Sequence, residues 1–267
     1  MSFVLISIFQ TNDSTAIFWT RNLIYSLSLG AILPIYCKTT KKDFFMASRF
    51  LTKPKAKDVL FSMALAFTVL NFMTPLNAWF CEWIETLGFS QPTVDIPMDN
   101  VACLIIFVCI IPAVCEEILF RGGIFNGLLQ KSCLKGILLS AFLFALFHMN
   151  PAQTLPQIVL GCVFALVFAK SGSIYSIIIC HFFSNLCVVI LSLTLEPTGF
   201  YEKYQWEVFI CGLVLFVLLL VLYIPTKSVR IEKEETTIAE KNDLSATVAF
   251  VSAIVLATAT WILTLVS

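Results

Sequence analysis

Three short segments of the sequence carry acidic side chains or histidines inside otherwise apolar runs. They are residues 112–123, with Glu116, Glu117 and Arg121, then residues 144–148 and residues 181–185. His148 and His181 are the only two histidines of the chain. An ionisable side chain at the centre of a membrane helix costs about 2.5–3.5 kcal/mol on insertion scales, so such residues usually mark a functional site.

The two adjacent glutamates are expected to have different roles. On a helix they point about 100° apart, so they cannot share one task. Glu117 precedes Arg121 by four residues, which is the favourable order for a helical ion pair and predicts a structural role. Glu116 has no basic residue one turn away, because Leu119 and Phe120 occupy those positions. A carboxylate without a local cation suits a general base or acid, although it could also reach up to the membrane surface.

His181 and Asn185 are four residues apart, and their side chains therefore lie on one face of a helix. Two hydrogen-bond donors on a rigid helix can form an oxyanion hole, which stabilises the charge that develops during acyl transfer. A hydrogen bond between two helices is the alternative, since polar residues often join helices in this way in membranes. His148 alone is more often a packed or interfacial histidine than a catalyst.

The elements that position these residues must be membrane helices. Of the 267 residues, 59% are hydrophobic and only 13% are charged, and the mean hydropathy is +0.91. This composition excludes a soluble enzyme, a disordered chain and a nucleic-acid-binding protein with a basic face. A spanning helix needs roughly 20 apolar residues. Six runs approach that length and two are shorter; the six are 15–36, 59–80, 101–120, 173–195, 206–224 and 246–267, and the two are 134–149 and 156–169.

We therefore expect an all-α integral membrane protein, a bundle of about eight transmembrane helices that forms one polytopic domain over 1–267. Basic residues collect in cytoplasmic loops. Fifteen of the 17 lysines and arginines fall on one side if both short runs cross the membrane. The uncharged interval 149–155 is then an outer turn, and both termini lie outside. The protein would be multi-pass, in the plasma membrane if the source is bacterial.

The sequence gives no indication of a signal peptide, a disulfide framework, a cofactor or a metal site. Residues 1–10 lack the basic start and cleavage site of a signal peptide. Seven of the ten cysteines lie in predicted spans and the other three lie one residue outside them; in a span, cysteine behaves as a small apolar residue. No cofactor motif or metal-binding motif is present, so we expect no cofactor and no metal.

The depths of the site residues in the membrane do not agree on these boundaries. His148 would lie about 21 Å above Leu134, whereas His181 would lie only about 12 Å above Ser173. Glu116 can meet His148 only if its helix continues past Gly122 and Gly123. We expect either staggered, tilted helices or boundaries displaced by several residues.

The three segments together resemble the CPBP family of intramembrane glutamic endopeptidases, which includes the CAAX proteases and the bacteriocin-processing or Abi proteins. The family pattern is Glu-Glu-x-x-x-Arg, then Phe-x-x-x-His, then His-x-x-x-Asn or Asp. Glu116, Glu117 and Arg121, then Phe144 and His148, then His181 and Asn185 fit it in order. The signature region is about 101–195, and eight helices also fit the family.

The resemblance implies hydrolysis of a peptide bond at membrane depth by a carboxylate-activated water. Glu116 would be the general base, His148 would orient the water, and His181 and Asn185 would stabilise the oxyanion. Glu117, Arg121 and Phe144 would give structural support. The partners would be the lipid bilayer and a peptide or protein, either prenylated with a CAAX end or a bacteriocin precursor.

Three alternatives remain open at this stage. A zinc protease could use Glu116, His148 and His181 as ligands, although the usual zinc-protease signature is absent. A proton-coupled transporter could use the same residues as a relay, but the two halves of the chain show no symmetry. A bacteriocin self-immunity or scaffold protein of the same family could act by binding alone.

Overall fold

The structure is a computed structural model that describes residues 14–89, 97, 100–126, 133–226 and 254–263. These residues contain helices and connecting turns and no strand. The helices are α1 (Ser14–Thr40), α2 (Phe44–Ala47), α3 (Ala56–Thr86), α4 (Val101–Phe125), α5 (Cys133–Phe147), α6 (Pro151–Ser171), α7 (Ile174–Thr194), α8 (Phe200–Lys203), α9 (Gln205–Tyr223) and α10 (Ile254–Leu263). A short 3₁₀ turn, Glu196–Thr198, precedes α8.

Six of these helices are long and apolar enough to cross a membrane, namely α1, α3, α4, α6, α7 and α9. Two further apolar helices, α5 and α10, are shorter. The expectation of an all-α, multi-pass membrane protein is confirmed. Each of the eight apolar runs in the sequence corresponds to one of these helices, although the last run is described only at 254–263.

The predicted boundaries between α5 and α6 are wrong. Residues 151–155 were expected in an outer turn, but they form the first turn of α6. Asn150 caps this helix by accepting a hydrogen bond from the Ala152 amide, and Pro151 occupies a position whose amide needs no helical partner. The run predicted at 156–169 is therefore a 21-residue helix.

Helix α3 packs against three other helices, α6, α7 and α9. Helix α1 packs on α4, and α5 packs on α6. Large apolar side chains remain exposed on several helices, as expected for surfaces that face lipid. Trp79, Trp83 and Trp206 are exposed at the end of α3 and the start of α9, where a belt of tryptophans is typical of the membrane–water boundary.

Helix α4 is not a regular α-helix. Residues Leu104–Ile110 and Ile118–Phe125 are π-helical, and the α-helical segment Ile111–Glu117 lies between them. Short π segments in helices are frequent at functional sites. The second π segment runs through Gly122 and Gly123, so these two glycines do not end the helix. A Cβ atom at Gly122 would lie 3.2 Å from Ser48 Cα, which indicates close packing at this point.

Candidate active site

The continuation of α4 resolves the discrepancy in depth. Because the helix passes Gly122 and reaches Phe125, its two glutamates lie level with the histidines of α5 and α7. Glu116 Oε2 lies 3.9 Å from His148 Nε2 and 3.9 Å from His181 Nε2. The staggered arrangement is thus the one present, and three separate sequence segments converge on one buried carboxylate.

Glu117 and Arg121 form the ion pair that their spacing predicts. Arg121 Nη1 lies 3.0 Å from Glu117 Oε1, and both side chains are fully buried. Arg121 Nη2 also donates to the carbonyl oxygen of Gly161 at 3.2 Å. Loss of one partner of a buried ion pair strongly destabilises a protein, because the other charge is left buried and unpaired. This pair is therefore a fixed part of the interior.

Two phenylalanine rings enclose the Arg121 guanidinium. Its Cζ lies 4.4 Å from the centre of the Phe144 ring and 5.2 Å from that of Phe164. Such cation–π contacts stabilise a desolvated cation by about 2 kcal/mol. The same two rings contact His181, with ring centres 5.8 Å and 5.1 Å away. Phe144, predicted as a supporting residue, therefore contacts both the ion pair and the histidine.

His181 is held by the second glutamate. Its Nδ1 lies 2.8 Å from Glu117 Oε1, so the Nδ1–H donates to that carboxylate when Glu117 is ionised. Hydrogen bonds of this kind fix the tautomer and orientation of a histidine ring. The opposite nitrogen, Nε2, consequently faces Glu116. Glu117 thus does more than pair with Arg121, because it also orients His181.

His148 is oriented by its own helix. Its Nδ1 lies 2.8 Å from the Phe144 carbonyl oxygen, one turn earlier at the end of α5, so this nitrogen donates and Nε2 faces Glu116. The next residue, Met149, has a φ of 51°, in the left-handed region that non-glycine residues rarely adopt. The His148 side chain is 15% exposed, compared with 4% for His181. Of these two histidines, His148 is the more accessible.

Glu116 is buried, and its Oε2 makes no hydrogen bond with the described residues. A distance of 3.9 Å to each imidazole is too long for a direct hydrogen bond. A water bonded at ~2.8 Å to both atoms of such a pair would subtend an angle of roughly 90°, which is sterically acceptable. The site therefore has the polar groups and the spacing to hold a water between the carboxylate and a histidine.

Asn185 makes a contact between helices. Its Nδ2 donates to the Val108 carbonyl oxygen of α4 at 3.1 Å. That carbonyl belongs to the π-helical segment Leu104–Ile110 of α4. Asn185 therefore links α7 to the backbone of the helix that carries both glutamates. An asparagine amide has two N–H groups, so one remains for a second acceptor.

Three contributors to the site could not be read from the sequence. Phe164 and Gly161 come from α6, which carries no polar motif, and Tyr25 comes from α1. A Cβ atom at Gly161 would lie 2.9 Å from Ala141 Cα, so only glycine permits α5 and α6 to approach this closely. None of these residues has a spacing or composition signal that distinguishes it from an ordinary core residue.

A metal centre does not emerge from the side-chain geometry. Within the part of the chain that the structure describes, no group of three or more histidine, cysteine, aspartate or glutamate side chains could hold a metal ion. The ten cysteines are all free thiols.

Comparison with known proteins shows what this region resembles. Residues 98–187 match the family described as Type II CAAX prenyl endopeptidase Rce1-like. The matched stretch includes all seven motif residues, from Glu116 to Asn185. The resemblance to CAAX proteases that the three motifs indicate is confirmed.

Two curated relatives extend the comparison. The chain is 31% identical over 130 residues to the "Putative membrane peptidase YdiL" of Bacillus subtilis (strain 168), which covers 47% of this chain and 52% of that protein. It is 25% identical over 207 residues to an "Uncharacterized protein" of Mycoplasma capricolum subsp. capricolum, covering 70% of this chain and 60% of that one. The chain thus spans between half and three fifths of the length of these relatives. No solved structure gives a significant match.

Proposed function

We propose that this protein is an intramembrane glutamic endopeptidase that hydrolyses a peptide bond with a water activated by Glu116. The observation that carries the proposal is the buried Oε2 of Glu116, without a hydrogen bond and 3.9 Å from the Nε2 atoms of both His148 and His181. A buried unsatisfied acceptor is costly in a stable interior, so its retention suggests a use. The family match supports the same reaction class.

Glu116 acts as the general base in this mechanism. A water between Glu116 Oε2 and His148 Nε2 donates one hydrogen to each acceptor, which leaves an oxygen lone pair for attack. Because His148 Nδ1–H is engaged by the Phe144 carbonyl, its Nε2 is an acceptor when the ring is neutral. Glu116 takes the proton as the water oxygen bonds to the carbonyl carbon of the substrate. General base catalysis of this kind typically contributes about 100- to 10,000-fold.

The oxyanion of the tetrahedral intermediate needs donors. His181 can donate from Nε2 only when both ring nitrogens carry protons, since its Nδ1–H is engaged by Glu117. The Glu117 carboxylate supplies the counter-charge for that imidazolium, and the second N–H of Asn185 is a further donor. The intermediate then collapses as the C–N bond breaks. The proton held by Glu116 passes to the leaving nitrogen, which yields a carboxyl terminus and an amine.

The substrate is a peptide segment that reaches this depth in the bilayer. The family resemblance favours a prenylated peptide with a CAAX end, and bacteriocin precursors are the other class. Phe144, Phe164 and the lipid-facing helices leave the charged groups in apolar surroundings, which suits a substrate whose reacting end carries a lipid.

The test compares Glu116→Gln with Glu82→Gln in purified protein reconstituted into nanodiscs. Glu82 is an exposed glutamate of α3, so its substitution makes the same chemical change away from the site. Cleavage of a farnesylated CAAX peptide is followed by mass spectrometry. We expect Glu116→Gln and His148→Ala to lose at least about 100-fold in kcat, while Glu82→Gln retains wild-type activity. Full activity of Glu116→Gln would refute the role of this carboxylate.

Three further experiments identify the substrate and test the alternatives. Comparative peptidomics of membranes with wild-type protein or Glu116→Gln identifies the natural substrate without a prior choice of peptide. Addition of a chelator tests the zinc alternative, and we expect cleavage to continue. Loss of cleavage that zinc restores would favour a metalloprotease, and normal bacteriocin protection by Glu116→Ala would favour a protein that acts by binding.

A further inference from the structure

A tyrosine of the first helix contacts the end of α5 beside the site. Tyr25 Oη donates a hydrogen bond of 2.6 Å to the Phe147 carbonyl oxygen, across 122 residues of sequence. The Phe147 carbonyl belongs to the peptide group that joins Phe147 to His148. Tyr25 therefore holds the backbone of one of the two histidines that face Glu116.

This carbonyl needs a partner from elsewhere in the protein. The last four carbonyl groups of a helix lack helical donors. At the end of α5, the His148 amide donates to the Ala145 carbonyl and the Met149 amide donates to the Leu146 carbonyl. The Phe147 carbonyl is next in order, and no amide of α5 remains to donate to it. The Tyr25 hydroxyl fills this position.

Helix α1 is held against both halves of the site. A Cβ atom at Gly30 would lie 2.8 Å from the Sγ of Cys115, so α1 lies directly on the α4 residue that precedes Glu116. Leu29 packs in one cluster with Phe120 of α4 and Phe144 of α5, and Tyr25 packs against that cluster. One rigid helix thus connects the glutamate helix with the end of the histidine helix.

We infer that Tyr25 is a positioning residue, which sets the distance between His148 and Glu116 by anchoring the Phe147–His148 peptide group. This inference rests on the proposed function for its catalytic consequence. The hydroxyl has a single hydrogen, which the Phe147 carbonyl occupies, so Tyr25 acts through His148 and not on the substrate. A misplacement of reacting groups by about 1 Å can cost about 100-fold in rate.

The test replaces only the hydroxyl, in Tyr25→Phe. Tyr223→Phe is the matched control, because the Tyr223 hydroxyl also makes a hydrogen bond between helices, to Asp58 Oδ1 at 3.1 Å, far from the site in sequence and on a different helix pair. We expect Tyr25→Phe to lower kcat by about 10- to 100-fold with KM within about twofold of wild type. Tyr223→Phe should leave kcat per folded molecule unchanged.

A spectroscopic measurement does not depend on activity. The chain has only two histidines, so protein with ¹⁵N-labelled histidine and a histidine-free affinity tag gives two sets of imidazole signals in nanodiscs. His148→Gln assigns them. We expect Tyr25→Phe to shift the His148 signals and leave those of His181 in place. Gly30→Ala, which forces α1 away from Cys115, should shift the same signals if Tyr25→Phe does not fold.

The outcomes separate this inference from the proposed function. Unchanged His148 signals and unchanged kcat in Tyr25→Phe would overturn the positioning role, even if Glu116→Gln abolishes cleavage. If the wild-type protein cleaves no peptide, the proposed function fails, yet a shift confined to His148 still supports the structural link. Equal loss of kcat in Tyr25→Phe and Tyr223→Phe would also overturn it, because a general loss of packing would then explain both.

Discussion

Replacement of Gly161 by alanine would separate α5 from α6 at the point where both helices support the site. The added Cβ atom would lie 2.9 Å from Ala141 Cα and 3.3 Å from Phe144 Cδ1. The nearest of these atoms belongs to the backbone, so no flexible side chain can move aside. To bring the distance between the new Cβ atom and Ala141 Cα to an ordinary van der Waals contact, the two helices must separate by about 0.5 Å.

The change in the free energy of unfolding of Gly161→Ala follows from two opposing effects. Overpacking of a close helix contact costs about 1–3 kcal/mol. Alanine gains up to about 1 kcal/mol over glycine in a helix interior. We therefore expect a net loss of about 1 kcal/mol in the free energy of unfolding. The loss of kcat should exceed what the loss of stability alone explains. The backbone carbonyl of Phe144 accepts the hydrogen bond that orients His148, and the carbonyl of Gly161 accepts one from Arg121.

Gly212→Ala provides a control with the same steric change. A Cβ atom at Gly212 would lie 2.9 Å from the backbone nitrogen of Phe72, in the contact between α9 and α3. Gly123→Ala is the mild control, since its nearest neighbour would be 3.4 Å away. Unfolding in mixed micelles, followed by circular dichroism, and peptide cleavage in nanodiscs are measured on all three variants.

The expected pattern is specific. Gly161→Ala and Gly212→Ala should lose similar stability, but only Gly161→Ala should lose kcat, by about tenfold. Gly123→Ala should resemble wild type in both measurements. Wild-type stability and activity of Gly161→Ala would refute the close approach of α5 and α6. An equal loss of kcat in Gly212→Ala would refute the link between this contact and the site.

Two further predictions concern the turn after His148 and the contact of Asn185. Met149 has a left-handed backbone, so Met149→Gly should raise the free energy of unfolding by about 1 kcal/mol, whereas Met149→Val should lower it by a similar amount or more; equal stability of the two variants would contradict the strain. Asn185→Ala should lower the free energy of unfolding by about 0.5–1.5 kcal/mol, because it removes the hydrogen bond between α7 and the Val108 carbonyl of α4. Wild-type stability of this variant would show that the bond contributes nothing to the fold.

The sequence alone predicts those parts of the structure that depend on interactions within one helix or on composition. Spacing of four residues predicts the Glu117–Arg121 pair, and the absence of a basic residue one turn after Glu116 predicts its lack of an ion-pair partner on its own helix. Both follow from helix geometry alone. Apolar run length predicts the membrane helices, because every backbone group must be satisfied within the bilayer.

The remainder depends on tertiary contacts that no local pattern encodes. The Tyr25 hydrogen bond joins residues 122 positions apart, and the need for Gly161 arises only when α5 is already beside α6. The predicted start of α6 is wrong because the apolar run begins only at 156, whereas the helix begins at Pro151, a residue that the first turn of a helix tolerates. For Asn185 both a catalytic and a helix-linking role were open, and one of its N–H groups makes the link.

The length of α5 has a consequence for the surrounding membrane. Its 15 residues rise only ~22 Å, whereas the hydrocarbon layer of a typical bilayer is ~30 Å thick. A helix shorter than the bilayer is accommodated by local thinning of the bilayer or by adjustment of its flanking residues. If α5 begins at one surface of the hydrocarbon layer, the turn at His148 and Met149 lies about 8 Å below the other surface, and bilayer thickness then bears on the position of this turn.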